Sequence, residues 1–218
     1  MRRDPGSPFV LYETLPKYYR DMDAADRAEI EQILGYHFFE KQHLIRALTH
    51  PAYANELLQQ KTLLMDQVAY STLGDAVLKT GLILFLMEKG IQTKGGITQE
   101  KEQLEDNITL AKVARRLRIR KFIRLGRGEK SLWRDGEEKI LADTLEALIG
   151  AIFLDSDAGF GVVKQCIGVW FEPELKRVKK EKSVKEKTKV PLTPPRLSSS
   201  RHGAPRGRRP GSRSQSRQ

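Results

Sequence analysis

The chain has 218 residues, of which 39 are Lys or Arg and 28 are Asp or Glu, giving a net charge of +11 at neutral pH. That length accommodates one domain of ordinary size with a tail. A lone cysteine, Cys166, excludes an internal disulfide and fits a reducing, cytoplasmic setting.

The first segment, 1–23, holds Pro5, Pro8 and Pro16 among the aromatics Phe9, Tyr12, Tyr18 and Tyr19, and reads as an extended arm packing on the domain. No apolar run follows its basic start, so no signal peptide is expected. Helices are then expected over Ala24 to Leu34, Lys41 to Leu48 and Tyr53 to Leu58. His50, which follows an apolar helix, reads as a packed structural histidine, and His37 and His43 lack partners at metal-ligand spacing. Asn55 and Glu56 are expected to fix a turn.

Met65 to Glu88 reads as a long apolar core helix carrying Asp75. Its run Val77 to Met87 is broken by Lys79 and Gly81 and is too short to cross a membrane, and no membrane association is expected. Asp75 follows Gly74, so it either caps a helix start or acts as a ligand. Further helices are expected over Ile97 to Glu105 and Ile108 to Leu117, the latter capped by Asn107. Lys112, Arg115 and Arg116 on it, with Arg118 just beyond, are candidates for contacts to phosphate, or else simply face water. Gly126 and Gly128 suggest an exposed turn.

Lys139 to Asp155, KILADTLEALIGAIFLD, sets Asp143 and Glu146 in an otherwise apolar helix. Three residues apart, they share a face about 60° wide. Ala142, Leu145, Leu148, Ile149 and Ile152 fill most of the remaining circumference, which predicts a helix buried nearly all round. Unpaired buried charge costs several kcal/mol, about 3 or more, so a pair of acids there calls for a cation, and a divalent metal suits it. The plainer alternative is a solvated acidic face. A last helix is expected over Ala158 to Lys180.

The tail Lys176 to Gln218 carries +13, which leaves about −2 for Met1 to Leu175. Lys176 to Lys189 either continues the last helix or forms a charged coil; Val190 to Gln218, rich in Pro, Gly, Ser and Arg, is expected to be disordered. Its Arg206, Arg208 and Arg209 fit a non-specific RNA-binding arm, because each cation on a phosphate backbone releases a counterion. A solubilising or targeting tail is the alternative. No stretch alternates with period two, so a sheet is not expected, and no zinc pattern, phosphate-binding glycine loop or repeat is present.

THPAYANE from Thr49, LGDAVL from Leu73, DNITLAKVARRL from Asp106, LGRGE from Leu125 and KILADTLEALIGAIFLD from Lys139, in this order and at these separations, resemble the catalytic domain of ribonuclease III, over about Ile30 to Leu175. The resemblance implies an all-α endonuclease domain, spanning 24–175, that dimerises around an RNA duplex. It implies hydrolysis of double-stranded or structured RNA to 5′-phosphate and 3′-hydroxyl ends, with Mg²⁺, or Mn²⁺ in its place, and no small-molecule cofactor. It assigns Asp75, Asp143 and Glu146 as metal ligands, with Glu146 and Asp75 catalytic.

The chain departs from the family pattern at four places. Ser71 replaces a ligand carboxylate, Val68 an accessory acid, Thr72 the aromatic that plugs into the dimer partner, and Lys94 a further acid. Asp66 and Glu100 are other acids that could approach the site. The rival expectation is a weakened relative that binds structured RNA or ribosomal particles without cutting.

Overall fold

The computed structural model describes residues 22–59 and 64–188, and among them there is no strand, only an isolated bridge between Thr49 and Arg124. Eight α-helices carry the fold: α1 Ala24–Leu34, α2 Lys41–Ala47, α3 Pro51–Gln59, α4 Val68–Glu88, α5 Lys94–Glu105, α6 Asn107–Arg116, α7 Arg127–Asp155 and α8 Phe160–Thr188. A 3-10 turn, Ile119–Phe122, joins α6 to α7. The all-α expectation holds. The N-terminal arm and the segment with Arg206, Arg208 and Arg209 lie outside the described residues.

Local signals set several helix ends. Asp23 accepts a hydrogen bond from the Asp26 amide and starts α1. Gly35 ends it at φ +69°, a left-handed conformation that costs glycine nothing, and Tyr36 N donates back to Glu31 O. On α6 the cap is Asp106, accepting from Thr109 N at 2.6 Å, and not Asn107. The aspartate precedes the helix with extended backbone, which leaves its carboxylate free to turn back; Asn107 already belongs to the first turn.

Two helix starts are capped from far along the chain. Asp155, at the end of α7, accepts from Phe39 N at 2.9 Å, Glu40 N at 2.8 Å and Tyr36 Oη at 2.7 Å, and so anchors the start of α2. Glu56 on α3 accepts from Arg127 N at 2.5 Å and anchors the start of α7. Gly126 is therefore a buried junction against Ala52 and Glu56, and Gly128 lies within α7; the exposed turn expected there is absent because the helix begins twelve residues before Lys139.

Helix α7 lies at the centre, touching α2, α3, α4, α6 and α8. Ile140, Leu141, Ala142, Leu145, Leu148, Ile149 and Ile152 are buried, as the pattern predicted. Helix α4 buries Tyr70, Gly74, Val77, Leu78, Gly81, Leu82, Phe85 and Leu86, a stripe at helical spacing. With 21 residues it is long and apolar enough to cross a membrane by length and composition, but this stripe is packed against α7 and α8. From α8, Val163, Ile167, Trp170 and Phe171 close the core, and Trp170 Nε1 donates to the Leu34 carbonyl at the end of α1. Beyond Leu175 the basic segment stays helical to Thr188.

The contact between α4 and α7 is unusually close. A Cβ placed on Gly74 would fall 1.7 Å from the Glu146 carbonyl oxygen, and one on Gly150 would fall 2.3 Å from the Tyr70 carbonyl oxygen. Backbone touches backbone there, and neither carbonyl can retreat without unwinding a turn. Gly74→Ala should destabilise the protein by about 2 kcal/mol or more, against the normal gain for Gly→Ala in a helix. Gly95→Ala on α5, where the added Cβ meets nothing within 4 Å, should instead stabilise it by about 0.5–1 kcal/mol. Urea unfolding of the two variants, compared at equal slope, reads both signs.

Candidate active site

The glycine contact brings the acids of two helices together. Gly74 sits against the Glu146 carbonyl, so the next residue on α4, Asp75, emerges beside the Glu146 turn of α7. Asp143, one turn earlier on α7, completes the group. Asp75 lies in mid-helix, which removes the capping alternative. All three are partly buried.

Their electrostatics are coupled. Burial, then the charges of Asp75 and Asp143, push the Glu146 carboxyl up to about 7; Lys79 and Lys139 offset part of the rise. Both lysines are themselves ion-paired within the cluster. Lys79 Nζ donates to Asp75 Oδ2 at 2.7 Å, and Lys139 Nζ donates to Asp143 Oδ2 at 2.8 Å. These bonds hold each ammonium above the ordinary lysine range. Glu105, at the end of α5, adds its field at Lys79.

Carboxylate oxygens are the donors a hard dication takes. Burial and, after it, the charges of two neighbouring aspartates raise Glu146, so the group carries more negative charge than its lysines offset. In donor chemistry Asp75, Asp143 and Glu146 therefore fit a divalent metal. As arranged, two of the three spend oxygens on lysines, and among the described residues no three His, Cys, Asp or Glu side chains converge as a ready metal cage. Ser71 Oγ donates to the Val68 carbonyl, and Thr72 Oγ1 does the same, so neither hydroxyl is directed at the acids.

Asp66 Oδ1 accepts from Val68 N at the start of α4, and Glu100 is buried on α5. Lys94 is exposed in the first turn of α5. A polar layer steadies the α4–α7 junction: Gln67 N donates to the Thr49 carbonyl, and Thr144 Oγ1 donates to Gln67 Oε1. His43 Nδ1 is hydrogen-bonded to Tyr70 Oη at 2.8 Å, with the Arg46 guanidinium over the Tyr70 ring. His50 Nδ1 accepts from Ala52 N, a structural role.

On α6, Lys112 and Arg115 are exposed, with Arg115 paired to Glu137. Arg116 is committed to Glu174 and the Trp170 carbonyl and ties α6 to α8. Sequence reasoning missed Lys79 and Lys139 as members of the site. Their signal was the spacing of four residues from Asp75 and Asp143, which sets an ammonium beside a carboxylate on one helical face.

A family model described as Ribonuclease-III-like matches residues 40–175. Ribonuclease 3 of Natranaerobius thermophilus is 32% identical over 169 residues, covering 77% of this chain and 71% of that protein. Ribonuclease 3 of Nitratidesulfovibrio vulgaris is 33% identical over 171 residues, covering 77% of this chain and 66% of its own length. Among solved structures, a nuclease domain of ribonuclease III from Campylobacter jejuni, described for flexibility in a region involved in dimer formation, aligns with a TM-score of 0.58 at 31% identity. It covers 66% of this chain and 95% of that domain.

The raised carboxyl of Glu146 makes stability depend on pH. The native state holds this proton more tightly than the unfolded chain, so its contribution is complete below about 4.5 and is lost as pH rises through about 7. In EDTA, Glu146→Gln should be more stable than the parent by about 1–3 kcal/mol at pH 8, with the difference vanishing near pH 4. Thermal melts across that range measure it, and a flat difference would contradict the assignment.

Proposed function

Because this chain belongs to the ribonuclease III family, we propose that it is an endoribonuclease that hydrolyses double-stranded or structured RNA with the help of Mg²⁺ or Mn²⁺. The observation that carries this reading is the Gly74–Gly150 contact, which brings Asp75, Asp143 and Glu146 into one coupled acidic group. Asp75, Asp143 and Glu146 would hold the cation, which supplies charge stabilisation for the leaving 3′ oxygen and eases deprotonation of the attacking water. Glu146, which faces both aspartates, is the acid on which catalysis depends most. Products are RNA ends with 5′ phosphate and 3′ hydroxyl.

The chain's own residues do the positioning. Lys112 and Arg115 on the exposed side of α6 offer point charges for phosphates, and Arg206, Arg208 and Arg209 of the basic tail add sequence-independent attraction. The functional unit is a homodimer. Met65 and Val68, at the start of α4 near Thr72, are exposed apolar side chains that a second copy would cover without the missing aromatic plug. A cytoplasmic setting and a role in processing ribosomal or other structured RNA fit this reading. Burial holds the Cys166 thiol up at about 11, so it stays a packed, unreactive group.

A second reading has its own support. Ser71 brings no charge and is bonded to its own helix, so the site holds three acids where family members use four. A relative that binds structured RNA or ribosomal particles without cutting would tolerate this loss.

Cleavage of an end-labelled duplex of about thirty base pairs at low salt separates the two. Staggered cuts on both strands in Mg²⁺ or Mn²⁺ are expected, reduced at least ~100-fold by Glu146→Gln and raised roughly tenfold by Ser71→Glu. Tight duplex binding without cuts in either metal, unchanged by both substitutions, would establish the binding protein instead.

A further inference from the structure

The acidic group already contains cations. Lys79 and Lys139 each stand four residues from a candidate ligand, on different helices, and each donates to it: Lys79 to Asp75 at 2.7 Å, and Lys139 to both oxygens of Asp143 at 2.8 and 3.0 Å. Both ammonium groups also act on Glu146, the one acid of the three without a lysine of its own. Three carboxylates and two ammoniums leave a net charge of −1 when all are ionised. Pairs of this spacing are common on helix surfaces. Here both fall on the two aspartates that flank Glu146.

We propose that Lys79 and Lys139 are tethered counter-ions of this site, held by Asp75 and Asp143 in the metal-free protein and displaced when a divalent cation enters. This rests on the metal-binding reading of the three acids. The pairs are built to yield. The Lys79 side chain is 45% exposed and that of Lys139 73% exposed, so either ammonium can swing into water without opening the core. Exposed pairs of this kind are weak, and a lysine stem has several freely rotating bonds. Their departure frees oxygens on both aspartates at once. Each released ammonium stays within a side chain's length of the acids, where a phosphate of bound RNA can receive it. The lysines thus stand in for cations when none is bound, and set how much affinity the entering ion must supply.

Binding of Mn²⁺ alone to the full chain, followed by the free-ion magnetic resonance signal or by calorimetry, tests this without reference to cleavage. Lys79→Met and Lys139→Met should each tighten Mn²⁺ about two- to tenfold, and the double variant more than about tenfold. Lys89→Met, which removes a lysine paired with Glu172 at the far end of α4, should leave it unchanged. In EDTA the double variant should melt below the parent, and Mn²⁺ should raise its melting temperature by the larger step. Binding by the double variant where the parent shows none would support the proposal equally. Equal affinity in parent and double variant, with binding abolished by Asp75→Asn, would overturn it and leave the metal site standing. Tightening by Lys89→Met as large as by Lys79→Met would overturn it in favour of a net-charge effect. Absence of Mn²⁺ binding in every variant would remove the metal site and the proposal together.

Discussion

The backbone-to-backbone approach of α4 and α7 governs the rest of the molecule. Helices normally pack with side chains between them, at about 8–10 Å. Two glycines, each facing a carbonyl of the other helix, remove that spacer. The gain is proximity: Asp75 and Glu146 can share one electrostatic environment only because no side chain lies between their helices. Glycine inside two helices costs about 1 kcal/mol each in backbone freedom. The surrounding core, with Tyr70, Leu78, Leu145, Leu148 and Ile149 buried on both sides, offsets it.

Two groups of carboxylates differ in what holds them. Asp155, Glu56, Asp23 and Asp106 accept backbone amides and start helices, and Glu31 accepts from Arg27 and from the Phe38 amide. Burial alone would raise Glu31, but those bonds and His37 hold it below the ordinary carboxylate range. Among the described residues, Asp75, Asp143 and Glu146 have no amide partners and repel one another, and the cations beside them, Lys79 and Lys139, are on flexible stems. The helix-starting acids sit in bonds fixed by backbone; the acids of the candidate site are left with charge to neutralise.

Much of this was legible in the residues. The apolar periodicity of α4 and α7 predicted their burial, and α1 begins and ends where Asp23 and Gly35 indicate. The acids of the site were visible as charges in apolar helices. What escaped detection depended on distant partners. The start of α7 at Arg127 is held by Glu56, seventy-one residues earlier, and its first turns are too charged to show a stripe. The cap on α6 was misplaced by one residue, because Asp106 and Asn107 are both good capping types and only backbone geometry distinguishes them. The close contact of Gly74 with α7 is silent in sequence, since a glycine before an aspartate looks the same in a turn.

The Asp155 latch has a consequence for how the chain is made. Its three donors, Tyr36, Phe39 and Glu40, are synthesised more than a hundred residues before their acceptor. Trp170 reaches back further still, to Leu34. A nascent chain leaving the ribosome therefore carries α1 and α2 in unfinished form until α7 and part of α8 have emerged. Contacts of such sequence separation slow folding and prolong the exposure of apolar surface. For this protein the vulnerable interval comes late in synthesis, when nearly the whole domain is outside and the acceptor that ends it has yet to arrive.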